Sequence, residues 1–358
     1  MSIISIQLKN GDRVSDKASF ASCLIIVLIS ALAPVLCPGC SDPVPAFARD
    51  EGPGRISTKI HLTSAGVEIS GIRSLDMFVF NDDPMQRLDS YQRIEGNSPA
   101  TAVGASRSGK KILAVLANSP DDRYRWADVN SLQGLAGKLI DLQEEEASHP
   151  FMSGLARFEA LPSGSLSLDL VPRTARIELR SLRCDFRGRS YEGAPLENIR
   201  VYLTNVSSSC PLLADSVRAP FSFINIGRLN EGDMEGFRDP GLVRSVLSRP
   251  VGNETVLPGI ALYCYAHTEA EADPGRPFTR LVIEGTIQGK TCYYPIEINR
   301  GAAAGDPPGI LPGRTYRFDL TLTRFGTDDP DGALEPGTIR STLSVTDWNT
   351  QKDSVITF

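Results

Sequence analysis

Ile56–Ser64 reads ISTKIHLTS. Ile56, Thr58, Ile60 and Leu62 fall on one face, and Ser57, Lys59, His61 and Thr63 on the other. A period of two belongs to a strand with one buried face. The same kind of signal recurs along the chain. Leu75–Phe80 (LDMFVF) and Lys111–Ala117 (KILAVLA) are apolar on both faces, as core strands are. They stop at Asn81-Asp82-Asp83-Pro84 and at Asn118-Ser119-Pro120. Leu155–Leu161 is followed by Leu166, Leu168 and Leu170 in strict alternation. Beyond Pro172, Ala175, Ile177 and Leu179 alternate with Arg176 and Glu178. Further strands are expected at Ile199–Thr204, Phe221–Ile226, Ile260–His267, Leu281–Gln288, Thr291–Ile298, Thr315–Arg324, Thr342–Thr346 and Ser354–Phe358. Gln288-Gly289-Lys290 has the pattern of a hairpin turn. Many short strands divided by turn residues specify an all-β chain of sandwiches, not a parallel α/β sheet. One helix is expected. Ser131 caps it, and Leu132, Leu135, Leu139 and Leu142 recur at helical spacing. Glu144-Glu145-Glu146 then reads as its solvated end.

The amino-terminal region has a different character. Leu24–Leu36 is an apolar run broken by Ser30 and Pro34, too short for a membrane-spanning helix and suited to a secretory signal. It closes on Pro38-Gly39-Cys40, which reads as a bacterial lipoprotein signal. Cleavage is expected between Gly39 and Cys40, with acylation of Cys40 to hold the chain in lipid. Cys37 departs from the usual leucine three residues before the cut, so an ordinary signal or an uncleaved anchor is the alternative. The leader also carries Asp12 and Asp16, and the true start codon could lie elsewhere. The expected organisation is a signal peptide over 1–39, a tether over 40–54 rich in Pro, Gly and acid, a first sandwich over 55–171 and a second over 172–358, with the seam at Pro172.

The chain carries a net charge of −6 with no basic block, which makes nucleic acid an improbable partner. Of seven cysteines, Cys184, Cys210, Cys264 and Cys292 lie in the body of the chain. They can pair in three ways or remain as buried thiols. His61, His149 and His267 stand far apart without ligand-like neighbours, so no metal site is expected. No nucleophile elbow, phosphate loop or dinucleotide fingerprint is present, no nucleophile–base pair can be named, and no cofactor is called for. Gly104–Lys110 looks faintly like a phosphate loop but lacks the following Ser or Thr and reads as a flexible connection between strands. Asp328–Gly332 lacks the ligand spacing of a calcium loop and reads as a turn. Trp126 and Trp348 read as core plugs.

Several segments in order resemble the fimbrillins, the pilin-like lipoproteins of type V fimbriae in Bacteroidales. They are Ile72–Phe80 (IRSLDMFVF), Lys111–Asn118 (KILAVLAN), Phe151–Gly154 (FMSG), Val171–Leu179 (VPRTARIEL), Val201–Val206 (VYLTNV), Tyr263–Ala266 (YCYA), Phe278–Gly289 (FTRLVIEGTIQG), Tyr293–Ile298 (YYPIEI), Tyr316–Leu322 (YRFDLTL) and Val345–Trp348 (VTDW). The resemblance implies two transthyretin-like Greek-key β-sandwich domains with one or two short helices in the connections, the second beginning near Arg173. It implies a structural subunit (stalk, tip or anchor) of a surface fimbrium, held to the outer membrane through Cys40 and supporting adhesion to host or bacterial surfaces. Its partners would be other fimbrial subunits, joined by donor-strand exchange. In that scheme an arginine-directed protease removes the first strand, and the C-terminal strand of the next subunit enters the groove. Ile56–Ser64 corresponds to the first strand. Thr342–Phe358 corresponds to the donor end, with Val355 and Phe358 as groove plugs. One departure stands out: residues 65–70 contain no arginine, and Arg73 is the nearest candidate cut. A subunit that keeps its first strand would suit a basal anchor. The alternative function is a surface lipoprotein that binds glycan or host protein without polymerising.

Overall fold

The alternation read at Ile56–Ser64 is realised in the folded chain. Strand β1 (Arg55–Ser64) buries Thr58, Ile60, Leu62 and Ser64 and turns Ser57, Lys59 and His61 outward. The structure is a computed structural model, which describes residues 55–64, 67–68, 72–96, 101–120, 126–213, 222–267, 278–300, 308–348 and 355–357. The expected signal peptide and tether lie outside these residues.

Through Pro172 the chain builds two sheets. Strands β2 (Ser74–Asn81), β3 (Leu88–Glu95), β4 (Thr101–Arg107), β5 (Gly109–Ala117), β6 (Leu139–Asp141), β7 (Met152–Ala160), β8 (Ser165–Asp169) and β9 (Val171–Pro172) follow β1. One sheet has the order β9-β7-β5-β2-β3 and is antiparallel throughout. In the other, β1 lies between antiparallel β4 and parallel β8, and Val67–Glu68 folds back on its end. Ile60, Leu62, Leu75, Met77, Val79, Leu113, Val115, Leu168 and Leu170 pack together as one core. The opposite faces of β2 and β5 are buried as well. Phe78, Phe80, Ile112, Ala114 and Leu116 belong to a second, larger core. That double burial explains why LDMFVF and KILAVLA are continuously apolar and not alternating.

From Thr174 onward come β10 (Thr174–Cys184), β11 (Glu197–Thr204), β12 (Ser209–Pro211), β13 (Arg244–Leu247), β14 (Ile260–Tyr265), β15 (Arg280–Ile287), β16 (Lys290–Glu297), β17 (Arg314–Leu322), β18 (Ile339–Asp347) and β19 (Val355–Thr357). They form a sheet of order β14-β10-β17-β18-β19 and another of order β13-β11-β15-β16. As β1 does with β8, β10 pairs in parallel with a late strand, β17. Ile177, Leu179, Val201, Leu203, Leu281, Ile283, Tyr294, Tyr316 and Phe318 share the larger core with Trp126, Leu135, Leu142 and Phe151 from the earlier residues. Residues 49–358 accordingly form one compact unit. The β15–β16 hairpin turns at Gln288 and Gly289, with φ of 50° and 76°. Two positive φ values in succession match the right-handed strand twist.

The expected helix is shorter than its leucines suggest. Ser131 does cap it, its hydroxyl accepting from the Gly134 N–H at 3.2 Å, but α1 covers only Leu132–Ala136. Gly137 ends it. Leu139–Asp141 then pairs as β6 with β12, and Leu142–Glu144 makes a single tight turn. Ladder pairing won over helical spacing. At Phe221–Ile226 only Phe223–Ile224 is extended within the described residues, and Ile226–Arg228 is a helical turn. Gly104–Lys110, expected as a connection, instead holds the end of β4 (Thr101–Arg107) and the start of β5. Small Ala102, Gly104 and Ser106 sit under β1 with no large side chain to announce a strand.

Candidate functional site: the groove closed by the first strand

β1 is the first strand among the described residues and a central strand of its sheet. Seven residues, Arg55 to His61, pair with β4, and five, Lys59 to Thr63, pair in parallel with β8. The Lys59 N–H donates to the Gly164 carbonyl at 3.0 Å, and the Leu170 N–H to the Thr63 carbonyl at 2.7 Å. Ile60 and Leu62 are 2% and 1% exposed. Each contributes about 1.5–3 kcal/mol by burial. The floor under Ile60 is Gly104, where an added Cβ would stand 3.2 Å from Ile60 Cδ1. Withdrawing β1 would leave an apolar trough with two unpaired ladder edges, a strong template for another strand.

The fit of β1 is incomplete. Thr58 and Ser106 are buried, and among the described residues neither hydroxyl has a hydrogen-bond partner. Leaving a buried hydroxyl unsatisfied costs about 1–3 kcal/mol. The closing strand is held well, but less tightly than an optimised one.

Arg73 lies between β1 and β2. Its guanidinium forms a bidentate pair with Glu146 at 2.8 and 3.2 Å and reaches His149 Nδ1 at 2.7 Å. Its backbone N–H donates to Asn118 Oδ1 at 2.8 Å, and its carbonyl accepts from the Gly96 N–H at 3.0 Å. Glu146 also binds Arg238. The Arg73 hydrogen bond, with help from Arg238, holds the Glu146 carboxyl below its usual range. As a protease target Arg73 is therefore clamped at both backbone and side chain.

The other expected residues are placed as follows. Gly39, Cys40 and Phe358 lie outside the described residues. Val355 lies in β19, which pairs antiparallel with β18 as Ser344↔Val355. Cys184, Cys210, Cys264 and Cys292 are buried free thiols. Trp126 is buried against Phe78, ring centroids 5.7 Å apart, and Trp348 packs on Tyr263 at 5.5 Å. Asp331 in the acidic turn binds Arg228 and Asn225. The three histidines stay apart: His61 faces Thr101, His149 faces Arg73, and His267 faces Thr279.

The acidic triplet is a correction. Glu145 is not a solvated helix end. It is 2% exposed, its carboxylate accepting from the Phe151 N–H at 3.0 Å and from the Tyr265 hydroxyl at 3.1 Å. Burial raises its pKa to about 7. No periodicity marks this residue, because it lies just after a tight turn and its partners are 6 and 120 positions away.

No family model matches the sequence, and no curated protein matches it. Solved structures do. A proposed cell adhesion protein from Parabacteroides distasonis ATCC 8503 superposes with a TM-score of 0.63 at 16% identity, over 84% of this chain and 99% of that one. A proposed cell adhesion protein from Bacteroides eggerthii DSM 20697 gives 0.61 at 17%, over 82% and 96%. A fimbrilin from Porphyromonas gingivalis W83 gives 0.59 at 16%, over 82% and 97%. The chain is thus an all-β protein of sandwich type. Its fold is that of the fimbrillins.

Proposed function

We propose that this protein is a non-enzymatic structural subunit of a cell-surface fimbrium that assembles by donor-strand exchange. The observation that carries the reading is the position of β1. The first strand among the described residues fills the middle of a sheet and buries Ile60 and Leu62. The fold shared with a fimbrilin supports it. In this reading Cys40 is acylated and holds the precursor in the outer membrane, and residues 55–171 and 172–358 are the two domains. Apart from the small β6–β12 pair, no sheet of the described residues joins strands from both sides of Pro172. The donor is the C-terminal segment containing Val355 and Phe358, which supplies main-chain bonds for affinity and alternate side chains for register. The clamp on Arg73 makes cutting there slow until Glu146 lets go, so the maturation cut falls at Arg73 only after local opening.

Donation also fixes where a truncation must begin. Leu343 is buried and β18 is laddered along β17, so removing residues 342–358 would damage the subunit itself. Removing 349–358 spares β18. The test is to place a specific protease site between Ser64 and Val67 and cut the purified protein. Cut protein should form SDS-resistant ladders, uncut protein should stay monomeric, and cut protein lacking 349–358 should not polymerise. Ladders that persist without 349–358, or cut protein that stays monomeric, would overturn the reading.

A further inference from the structure

Lys111 continues the stripe of β5 that carries Leu113 and Val115, and Asn81 continues the stripe of β2 that carries Val79. The two residues face each other in the β2–β5 ladder. Lys111 is 3% exposed, a rare place for an ammonium group. Its Nζ stands 2.6 Å from Asn81 Oδ1 and 3.1 Å from Asp89 Oδ2, and the Asp89 side chain is itself 3% exposed. Asp89 reaches this spot through a slip in the β2–β3 register. Val79 pairs with Ser90 and Phe80 with Leu88, so Asp89 is the extra residue between them. A bulge of this kind re-aims the side chain it frees. The Arg107 N–H donates to the same Oδ2 at 2.8 Å and fixes the carboxylate.

An amine, a carboxamide and a carboxylate in mutual reach and shielded from water are the parts of an amide exchange. Held contact replaces a bimolecular encounter, and the carboxylate is placed to carry protons. We propose that Lys111 and Asn81 join through an isopeptide bond, with Asp89 as the proton carrier. The Lys111 ammonium gives one proton to Asp89. The free Nζ then attacks Asn81 Cγ, a C–N bond forms, and the carbonyl electron pair moves onto Oδ1. Asp89 passes its proton to Nδ2 and takes one from Nζ. The C–Nδ2 bond breaks, its electron pair leaves with ammonia, and the carbonyl re-forms. The ammonia takes the last proton from Asp89, so an ammonium ion is released and the carboxylate is restored. The exchange needs no oxidant, reductant or second molecule. The link ties β2 to β5 and touches no residue of β1, so the closing strand stays removable. This inference stands apart from fimbrial assembly.

The test is tryptic mass mapping of the full-length protein. Without the link, trypsin cuts after Lys111 and releases residues 74–87, which contain Asn81, as a separate peptide. With it, cutting after Lys111 should fail. Residues 74–87 should appear joined to the peptide that begins at Lys111, about 17 Da lighter than the two together because ammonia has left. Asp89→Asn keeps the shape and removes the proton carrier, so the two peptides should appear apart at full mass. Lys111→Met puts an apolar chain of similar length in the buried position and should also lack the branched peptide. Separate full-mass peptides from the parent protein would overturn the proposal, whatever the variants do. A loss confined to residues 74–87 with Lys111 still cut would overturn it too, because it marks cyclisation of Asn81 onto Asp82. A branch at Asp89 with a loss of about 18 Da would show condensation with the wrong partner and overturn the assignment of Asn81. Full linkage in Asp89→Asn would overturn the role given to Asp89.

Discussion

Thr58→Val should stabilise the protein and slow the release of its first strand. Thr58 is 3% exposed on the inward face of β1, and its hydroxyl has no partner among the described residues. Valine keeps the shape, the β-branch and the strand preference of threonine. The exchange removes an unsatisfied hydroxyl, worth about 1–3 kcal/mol, and adds a buried methyl, worth about 0.8 kcal/mol. After partial relaxation a net gain of about 1–2 kcal/mol is expected. Urea unfolding should show a higher midpoint with an unchanged slope. The melting temperature should rise by about 2–4 °C per kcal/mol in a chain of this size. Thr58→Ser keeps the hydroxyl and loses the methyl, so it should destabilise by about 1 kcal/mol. Protein carrying Thr58→Val should also polymerise more slowly after the β1–β2 link is cut, because β1 leaves a better-fitted groove. If valine is neutral or destabilising while serine matches the parent, the hydroxyl is satisfied in solution and the description of the groove fails.

Glu145 couples stability to pH. Its folded pKa of about 7 lies above the ordinary 4.5, so its stabilising contribution is complete below the unfolded value and is lost as pH rises through the folded one. The gap corresponds to a loss of about 3 kcal/mol across that window. Urea unfolding followed from pH 5 to 8 should therefore show a slope that Glu145→Gln flattens. Glu146→Gln removes the charge that pairs with Arg73 and Arg238 and so loosens the side-chain clamp on Arg73. Limited digestion with an arginine-specific protease should cut faster after Arg73, while global stability shifts by less than about 1 kcal/mol, as expected for partly exposed ion pairs. Gly154→Ala would set a Cβ 2.4 Å from the Asp169 carbonyl, and denaturation should show a loss of at least about 1–3 kcal/mol.

The long strands were legible in the residues because burial on one or both faces writes a period of two or an unbroken apolar run, as in Ile56–Ser64 and Lys111–Ala117. The hairpin at Gln288-Gly289 was legible because positive φ restricts residue choice. β3 and β4 were not. Leu88–Glu95 is half-buried along most of its length, so its pattern is polar, and Thr101–Arg107 uses small residues to admit β1. The leucine spacing over 132–142 suggested a longer helix, because β6 is made by distant β12, which local periodicity does not register. The groove was expected only through the resemblance to fimbrillins, with Ile56–Ser64 standing in the place of their first strand. The buried charges at Glu145 and Arg173 could not be anticipated. An acidic residue in a run of three and an arginine in an alternating strand look like surface residues until tertiary packing encloses them.

The account rests on β1 being a removable closure. Its most direct test is the amino terminus of the subunit within assembled fibres, read by intact-mass and terminal-peptide mass spectrometry. The account predicts a start beyond Ser64, with residues 55–64 absent from the polymer. Polymerised subunits that retain Arg55–Ser64 as a continuous part of the chain would contradict it.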